Sequence, residues 1–339
     1  MSVITKEQAD FNLQLESIIA PHFNARRMWK RDKDNPPGTP FDQLRVNFAH
    51  YTSAEAALNI IRTKRLWMRS TTCMIDYTEV NRGHQLLVEH LGANEGKRRM
   101  ELIAALNKVH PGAAERAIGR FDALWKDRFM RFRMYIASLC EHEDKRHLPN
   151  GRLSMWRAFG RGPRVALILS LPTFSPASQV LGLTAFSPVC YSKAEEVASQ
   201  LDATITMINR NVDILKKLTV EAFEALILVM FLTNVTCNKH EGFSEEEEWR
   251  AVYAPDLLSS KLIESEVRAI DGVAQTIFKI PLDAKVSPEL EALDLSNILK
   301  RVLIGPSQYS WVQFEAFKTE LAKIGSNAEV TVSPLPIRG

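Results

Sequence analysis

The sequence has little cysteine, glycine and proline: its 339 residues include four Cys, 15 Gly and 16 Pro. With 45% hydrophobic and 24% charged residues, the composition is typical of a folded globular protein and excludes collagen-like, coiled-coil and disordered chains. The four Cys, with no apolar signal segment after Met1, favour a reducing compartment. We therefore expect a cytoplasmic protein.

The sequence also lacks a long apolar run and a strong charge of either sign. Its most apolar stretch covers only residues 225–235, whereas a transmembrane helix needs about 20 apolar residues. Lys and Arg number 43 against 40 Asp and Glu, which leaves a net charge of +3. We expect no membrane segment, and this charge is too small to predict a protein that coats nucleic acid.

Several catalytic and nucleotide-binding motifs are missing. There is no Gly-x-Gly-x-x-Gly motif after a predicted strand and no phosphate loop that ends in Gly-Lys-Ser/Thr. Neither a Gly-x-Ser-x-Gly motif nor a His-Glu-x-x-His motif occurs, which argues against ordinary serine hydrolases and zinc proteases.

One set of residues offers zinc-ligand types without the paired spacing of zinc ribbons. The set is Cys140, His142, His147, Cys237 and His240. Apolar residues flank each Cys, as expected for small buried side chains. The sequence therefore favours core cysteines beside surface histidines, and no metal site is predicted.

Short β-branched runs occur in both halves of the sequence, and helical spacing fills the intervals. The extended runs are 46–51, 65–70, 134–140, 165–171, 248–253, 276–282, 302–304 and 329–332. The clearest helical runs are 6–28, 54–63, 98–133, 194–231 and 311–324. Because the strands are clustered instead of alternating regularly with helices, we expect an α+β fold.

The predicted domain organisation is an N-terminal helix and loop followed by one larger unit. The first part covers residues 1–40, where a charged, Pro-rich passage ends the helical spacing. A single α+β domain follows at residues 41–339, with large helical insertions near 81–133 and 194–232.

Three short motifs place reactive side chains at the ends of predicted strands. His50-Tyr51-Thr52 closes the first strand, and Ser70-Thr71 closes the second. Glu246 to Arg250 opens a late strand. Because side chains alternate along a strand, Glu246, Glu248 and Arg250 are predicted to share one face. Two carboxylates that are two residues apart are suited to the cleavage of a sugar C–N bond. One can stabilise an oxocarbenium-like centre, and the other can orient or deprotonate the acceptor.

The order of these motifs resembles that of a bacterial family of uncharacterised proteins. The resemblance is carried by His50-Tyr51-Thr52, residues 70–79, Met155-Trp156 and the Glu-x-Glu-Trp-Arg motif at residues 246–250. It spans roughly residues 50–250. The same order of His, Ser-Thr and Glu-x-Glu is similar to that of distant ADP-ribosyltransferases of toxin or anti-phage type.

This resemblance implies a split, mainly antiparallel sheet that binds NAD in a cleft. It implies transfer of ADP-ribose to a macromolecular acceptor, nucleic acid or protein, with Glu248 as the catalytic carboxylate and Glu246 serving the acceptor. His50 would contact the adenosine ribose. The other implied cofactor-binding residues are Tyr51, Thr52, Ser70, Thr71, Trp156 and Arg250. For a toxin or defence effector of this kind, the resemblance also implies a neutralising or sensor protein as a partner.

Two other functions stay open. Ile75 and Phe159 stand where the family has Asn and Tyr, which favours a non-catalytic nucleotide-binding or sensor module that uses the same cleft. A metal-dependent nuclease is the second alternative. Its candidate metal ligands are Asp76, Glu79, Glu246 and Glu248.

Overall fold

Strands from most of the chain meet in one ten-stranded, mainly antiparallel sheet in a computed structural model of the protein. The structure describes residues 5–73, 79–127, 133–158, 163–173, 177–270 and 272–336. Its strands are β1 (Arg45–Ser53), β2 (Arg65–Ser70), β3 (Tyr135–Glu141), β4 (Arg164–Pro172), β5 (Ala185–Pro188), β6 (Cys190–Tyr191), β7 (Asn238–Lys239), β8 (Glu248–Tyr253), β9 (Glu264–Ile270), β10 (Val273–Pro281), β11 (Leu299–Ile304) and β12 (Glu329–Val332).

Helices are interspersed with these strands, so the α+β expectation is confirmed. They are α1 (Lys6–Ile19), α2 (Pro21–Asp34), α3 (Ala54–Thr63), α4 (Glu79–Asn107), α5 (Ala113–Lys126), α6 (Asp144–His147), α7 (Leu153–Ala158), α8 (Ala177–Val180), α9 (Ala194–Arg210), α10 (Val212–Leu215), α11 (Val220–Thr236), α12 (Leu295–Ile298) and α13 (Ser310–Lys323). None of the described helices is both long and apolar enough to span a bilayer.

The sheet has the order β12-β11-β4-β1-β3-β2-β10-β9. Strand β8 pairs with β3 and also with β5. Within this sheet only β11 and β12 pair in parallel among the described strands. Strands β6 and β7 form a separate, parallel pair.

Two strands, β1 and β2, share one edge of β3 and pair with opposite ends of it. Strand β3 pairs with β8 from Tyr135 to Cys140. On the other edge of β3, Ser70 of β2 pairs with Tyr135, and Ala49 of β1 pairs with Cys140. Strands β1 and β2 therefore diverge beside residues 137–139. We call this gap the split.

Hydrophobic side chains cover both faces of the sheet. On one face, Ile136 and Val252 belong to a cluster shared with α4, α5, α9 and α11. On the other face, Phe48 and Trp249 pack in a cluster shared with α3 and α13. The helices predicted as insertions thus supply much of the core on one side.

The N-terminal helix predicted at residues 6–28 is two helices, because Pro21 divides the pattern. Proline has no amide hydrogen to donate and is accommodated in a first helical turn, so α2 begins there. Ser53 begins α3 in the expected way, since its side chain accepts a hydrogen bond from the amide of Ala56 at 3.1 Å.

Candidate functional site

A buried ionic cluster lies beneath the start of β8, and Lys239 and Arg250 are its cations. The Nζ atom of Lys239 lies 3.0 Å from Glu79 Oε1, 2.7 Å from Glu246 Oε2 and 3.4 Å from Glu248 Oε2. Arg250 donates from Nε to Glu248 Oε1 at 2.9 Å and also binds Glu79 through Nη2. The side chains of Glu248 and Arg250 are 4% and 1% exposed. The cluster therefore holds three carboxylates around two cations, and it is most enclosed at Glu248 and Arg250.

The path of the chain brings these groups together from separate elements. Glu79 begins α4, and Lys239 ends the short strand β7. Glu248 and Arg250 alternate along β8, as predicted. Glu246, however, is not part of that strand: it ends a 3-10 segment, and Glu247 turns the chain with a φ of 44°. The predicted strand position of Glu246 is therefore wrong, although its carboxylate still reaches Lys239.

The two carboxylates on Lys239 have pKa values shifted in opposite directions. Burial opposes the ionisation of Glu248, but Arg250 and Lys239 outweigh it and lower the pKa of Glu248 to about 2. Burial raises the pKa of Glu246, and Lys239 opposes this shift only in part. Carboxylates whose environments separate their pKa values are suited to different roles in catalysis.

Glu247, the residue between them, points to a different set of cations. Its carboxylate binds Arg146 at 2.8 Å and also binds Arg152. These hydrogen bonds outweigh the effect of burial and lower the pKa of Glu247 to about 2. This interaction attaches the turn before β8 to the segment that leads into α7.

His50 lies at the split. Its Nδ1 atom donates a hydrogen bond to the carbonyl oxygen of Ser138 at 2.9 Å, where neither β1 nor β2 pairs with β3. Burial lowers the pKa of His50, so the imidazole is neutral at neutral pH. Strand alternation places His50 on the face of Phe48, whereas Glu248 lies on the opposite face with its partner Cys140.

Ser70 and Thr71 lie at the other end of the split. Ser70 Oγ is 2.9 Å from Thr72 Oγ1, and the amide of Thr71 donates to the carbonyl of Met134 at 2.9 Å. Ser70 and Thr71 are both buried. Thr52 lies further along β1, half-buried, where it pairs with Val165 of β4.

Tyr51 and Trp156 are packed in a small hydrophobic cluster apart from the ionic one. Their rings meet edge to face with centroids 4.8 Å apart. The Tyr51 hydroxyl accepts a hydrogen bond from the amide of Arg152 at 2.9 Å, and Trp156 Nε1 donates to Asn150 at 2.8 Å. Because both rings are buried and bonded in this way, we leave them out of the proposed site.

The structure thus groups Glu246, Glu248 and Arg250, and it separates them from the other predicted residues. Lys239, which joins the carboxylates, is not among the residues predicted from the sequence. The sequence indicates such a cation only indirectly. If the acidic run at residues 245–248 is buried, its carboxylates need a cation nearby. Glu79 was considered only as a metal ligand, but it binds Lys239 and Arg250 instead.

Three of the four candidate metal ligands, Glu79, Glu246 and Glu248, come together around Lys239 and not in the arrangement of a metal site. Among the residues described, no three His, Cys, Asp or Glu side chains are placed to hold a metal ion. Lys239 occupies the position between Glu79, Glu246 and Glu248. Asp76, like Ile75 and Phe159, lies outside the described residues. Two of the expected surface histidines, His142 and His147, are buried, which corrects that expectation.

Comparison with known proteins gives one partial match. A family model described as a protein of unknown function (DUF2971) matches residues 155–251. No curated protein and no solved structure matches the chain. The resemblance to ADP-ribosyltransferases therefore rests on the sequence motifs alone. The chain is similar to the DUF2971 family over a segment that runs from α7 through β8 and includes Glu246, Glu248 and Arg250.

Proposed function

We propose that the protein is an NAD-dependent ADP-ribosyltransferase-like enzyme that transfers ADP-ribose to a macromolecular acceptor. One observation carries the proposal: Glu246 and Glu248 share the ammonium group of Lys239 and have pKa values shifted in opposite directions. A sugar C–N bond that breaks through a positively charged centre needs both a permanent anion and a group that can take a proton.

The two carboxylates have different roles in this scheme. Glu248 stays ionised and stabilises positive charge on the ribose as nicotinamide leaves. Glu246 has a raised pKa and is less enclosed, with a side chain 20% exposed. It accepts the proton of the attacking acceptor group. Lys239 and Arg250 are positioning residues that hold the two carboxylates.

The proposed place for the nicotinamide ribose is the face of β8 that carries Glu248, because the carboxylate must reach the sugar. His50 lies on the opposite face of the sheet, so its expected contact with the adenosine ribose is not part of this proposal. Ser70 and Thr71 lie at the far end of the split and are likewise left out.

Release of nicotinamide from NAD by the purified protein tests this function. We expect release by the native protein and a large loss in Glu246→Gln and Glu248→Gln. Glu245→Gln is the matched control, because Glu245 is an exposed acid on the same segment. Thermal unfolding of each variant separates loss of catalysis from loss of folding. Equal release by a folded Glu248→Gln variant would remove Glu248 from the catalytic role.

The two hydrogen bonds that fix the Glu248 carboxylate favour a second, non-catalytic function. Arg250 hydrogen-bonds to both of its carboxylate oxygens at 2.9 Å, which leaves little freedom to engage a substrate. This observation favours a non-catalytic nucleotide-binding or sensor module. A thermal-shift titration with NAD and other nucleotides distinguishes the two functions, since a ligand that binds only the native state raises its stability. Stabilisation without nicotinamide release would support the sensor.

A further inference from the structure

The two strands that end the sheet order, β12 and β9, differ in how well their outer edges are protected from pairing with another chain. Strand β12 has four residues, and Pro334 and Pro336 follow it closely. Proline donates no backbone hydrogen bond, and a short edge strand offers few groups to pair with. Strand β9 has seven residues, and its pairing with β10 runs from Glu264 to Ile270 without a shift of register. It is therefore a long and regular edge strand.

The outer edge of β9 is open. Among the described strands, only β10 pairs with β9. Ser265, Val267 and Ala269 are exposed, and the exposed fraction of Val267 is 72%. About half of the backbone N–H and C=O groups of an edge strand point away from its neighbour, so β9 offers a row of donors and acceptors to another strand.

The side chains of β9 match a second copy of the same strand. Two identical antiparallel strands are related by a twofold axis, and residues that face each other lie on the same side of the sheet. With Val267 on this axis, Glu266 of each copy faces Arg268 of the other. On the opposite side of the sheet, Val267 faces Val267 and Ser265 faces Ala269. Each of these facing pairs is oppositely charged or small.

The neighbouring registers bring like charges together. An axis at Glu266 places two glutamates opposite each other, and an axis at Arg268 does the same with two arginines. Like charges that directly face each other destabilise a strand pair. The pairing with Val267 on the axis also leaves the ion pair within each copy intact, where Arg268 Nε lies 2.6 Å from Glu266 Oε1. Two such ion pairs then lie side by side with opposite polarity.

We propose that β9 pairs with β9 of a second copy of this chain, antiparallel and with Val267 on the twofold axis. The product is a dimer in which the two sheets become continuous. A contact between two edge strands is at the small end of specific interfaces, so the dissociation constant is about 1–100 µM. The ionic cluster around Lys239 has no residue on β9, and the inference does not depend on the proposed transfer reaction.

Sedimentation velocity of the full-length protein, at concentrations on both sides of that range, tests the dimer. Arg268→Glu and Glu266→Arg each place like charges opposite one another in two facing pairs. We expect each variant alone to dimerise at least about tenfold more weakly than the native protein. An equimolar mixture of the two variants restores opposite charges in both facing pairs, so we expect it to form dimers of nearly native strength. Lys300→Glu is the control, because it reverses an exposed charge on β11, near the other end of the sheet.

A further variant leaves the charge pairs in place. Val267→Lys changes an exposed side chain, so the monomer should still fold, but it places two ammonium groups against each other at the axis. We expect it to weaken the dimer as strongly as Arg268→Glu, and thermal unfolding shows that each variant is folded. The proposal is overturned by a native protein that stays monomeric, by dimers that persist unchanged in Val267→Lys and Arg268→Glu, or by a mixture that is no more dimeric than its components.

Discussion

Replacing Arg250 with methionine tests the buried cluster on which the candidate site is built. In the native protein, Arg250 and Lys239 face the carboxylates of Glu79, Glu246 and Glu248, so the formal charges sum to −1. Arg250→Met raises the imbalance to −2. It also removes the hydrogen bond that Arg250 Nη1 donates to the carbonyl oxygen of Thr236 at 2.6 Å.

The expected cost is large because water cannot compensate for the missing cation. Removing one partner of a buried ion pair typically costs about 3–5 kcal/mol of unfolding free energy. Urea unfolding measures this loss as a lower midpoint at an unchanged slope. Arg268→Met is the control: Arg268 also pairs with a glutamate, Glu266, but its side chain is 38% exposed. Pairs of this exposed kind contribute less than about 1 kcal/mol.

A double variant separates lost charge balance from lost packing. Arg250→Met combined with Glu248→Met removes both charges of the closest pair, and apolar replacement of a buried pair is often nearly neutral. We expect the double variant to be more stable than Arg250→Met alone. Arg250→Met costing no more than Arg268→Met, or simple additivity of the two substitutions at the cluster, would contradict this prediction.

The remaining predictions concern acid stability and helix packing. The pKa of Glu248 is about 2 in the folded protein against an ordinary value of 4.5, so its ionised form stabilises the fold above pH 4.5 and this contribution is lost as the pH falls toward 2. The free energy of unfolding measured between pH 2 and 4.5 should depend less on pH in Glu248→Gln than in the native protein. An equal dependence on pH would contradict the lowered pKa of Glu248. Gly83→Ala should destabilise the protein by about 1–3 kcal/mol, because a Cβ there would lie 2.2 Å from the carbonyl oxygen of Val235. Gly92→Ala in the same helix meets nothing within 4 Å among the described atoms and should raise stability by about 0.4–1 kcal/mol, so equal effects of the two substitutions in urea unfolding would refute the contact.

Local pattern predicted the strands well where residues alternate or are β-branched. The second strand and the last one occupy the predicted residues, 65–70 and 329–332. Strand β9 (Glu264–Ile270) was missed because three of its seven residues are charged and most of it is exposed, so it carries no apolar run. Within the described residues, the long helix predicted at 98–133 consists of parts of α4 and α5, interrupted where Gly112 takes a positive φ of 76°. Residues 128–132 of this prediction lie outside the described part of the chain.

The candidate site was only partly predictable, because it depends on contacts between distant segments. Alternation along β8 correctly placed Glu248 and Arg250 on one face. It could not show that Lys239 and Glu79 would come to the same cluster, since nothing local to either residue indicates a buried charge. Nor could it show that Tyr51 and Trp156 would pack against each other instead of lining a cleft.

Transfer of label from adenine-labelled NAD to the macromolecular fraction of a cell extract tests the proposed function most directly. We expect the native protein and Glu245→Gln to transfer label, and a folded Glu246→Gln variant to transfer far less. Absence of both label transfer and nicotinamide release with the native protein, or undiminished transfer by Glu246→Gln, would contradict the roles given to the two carboxylates on Lys239.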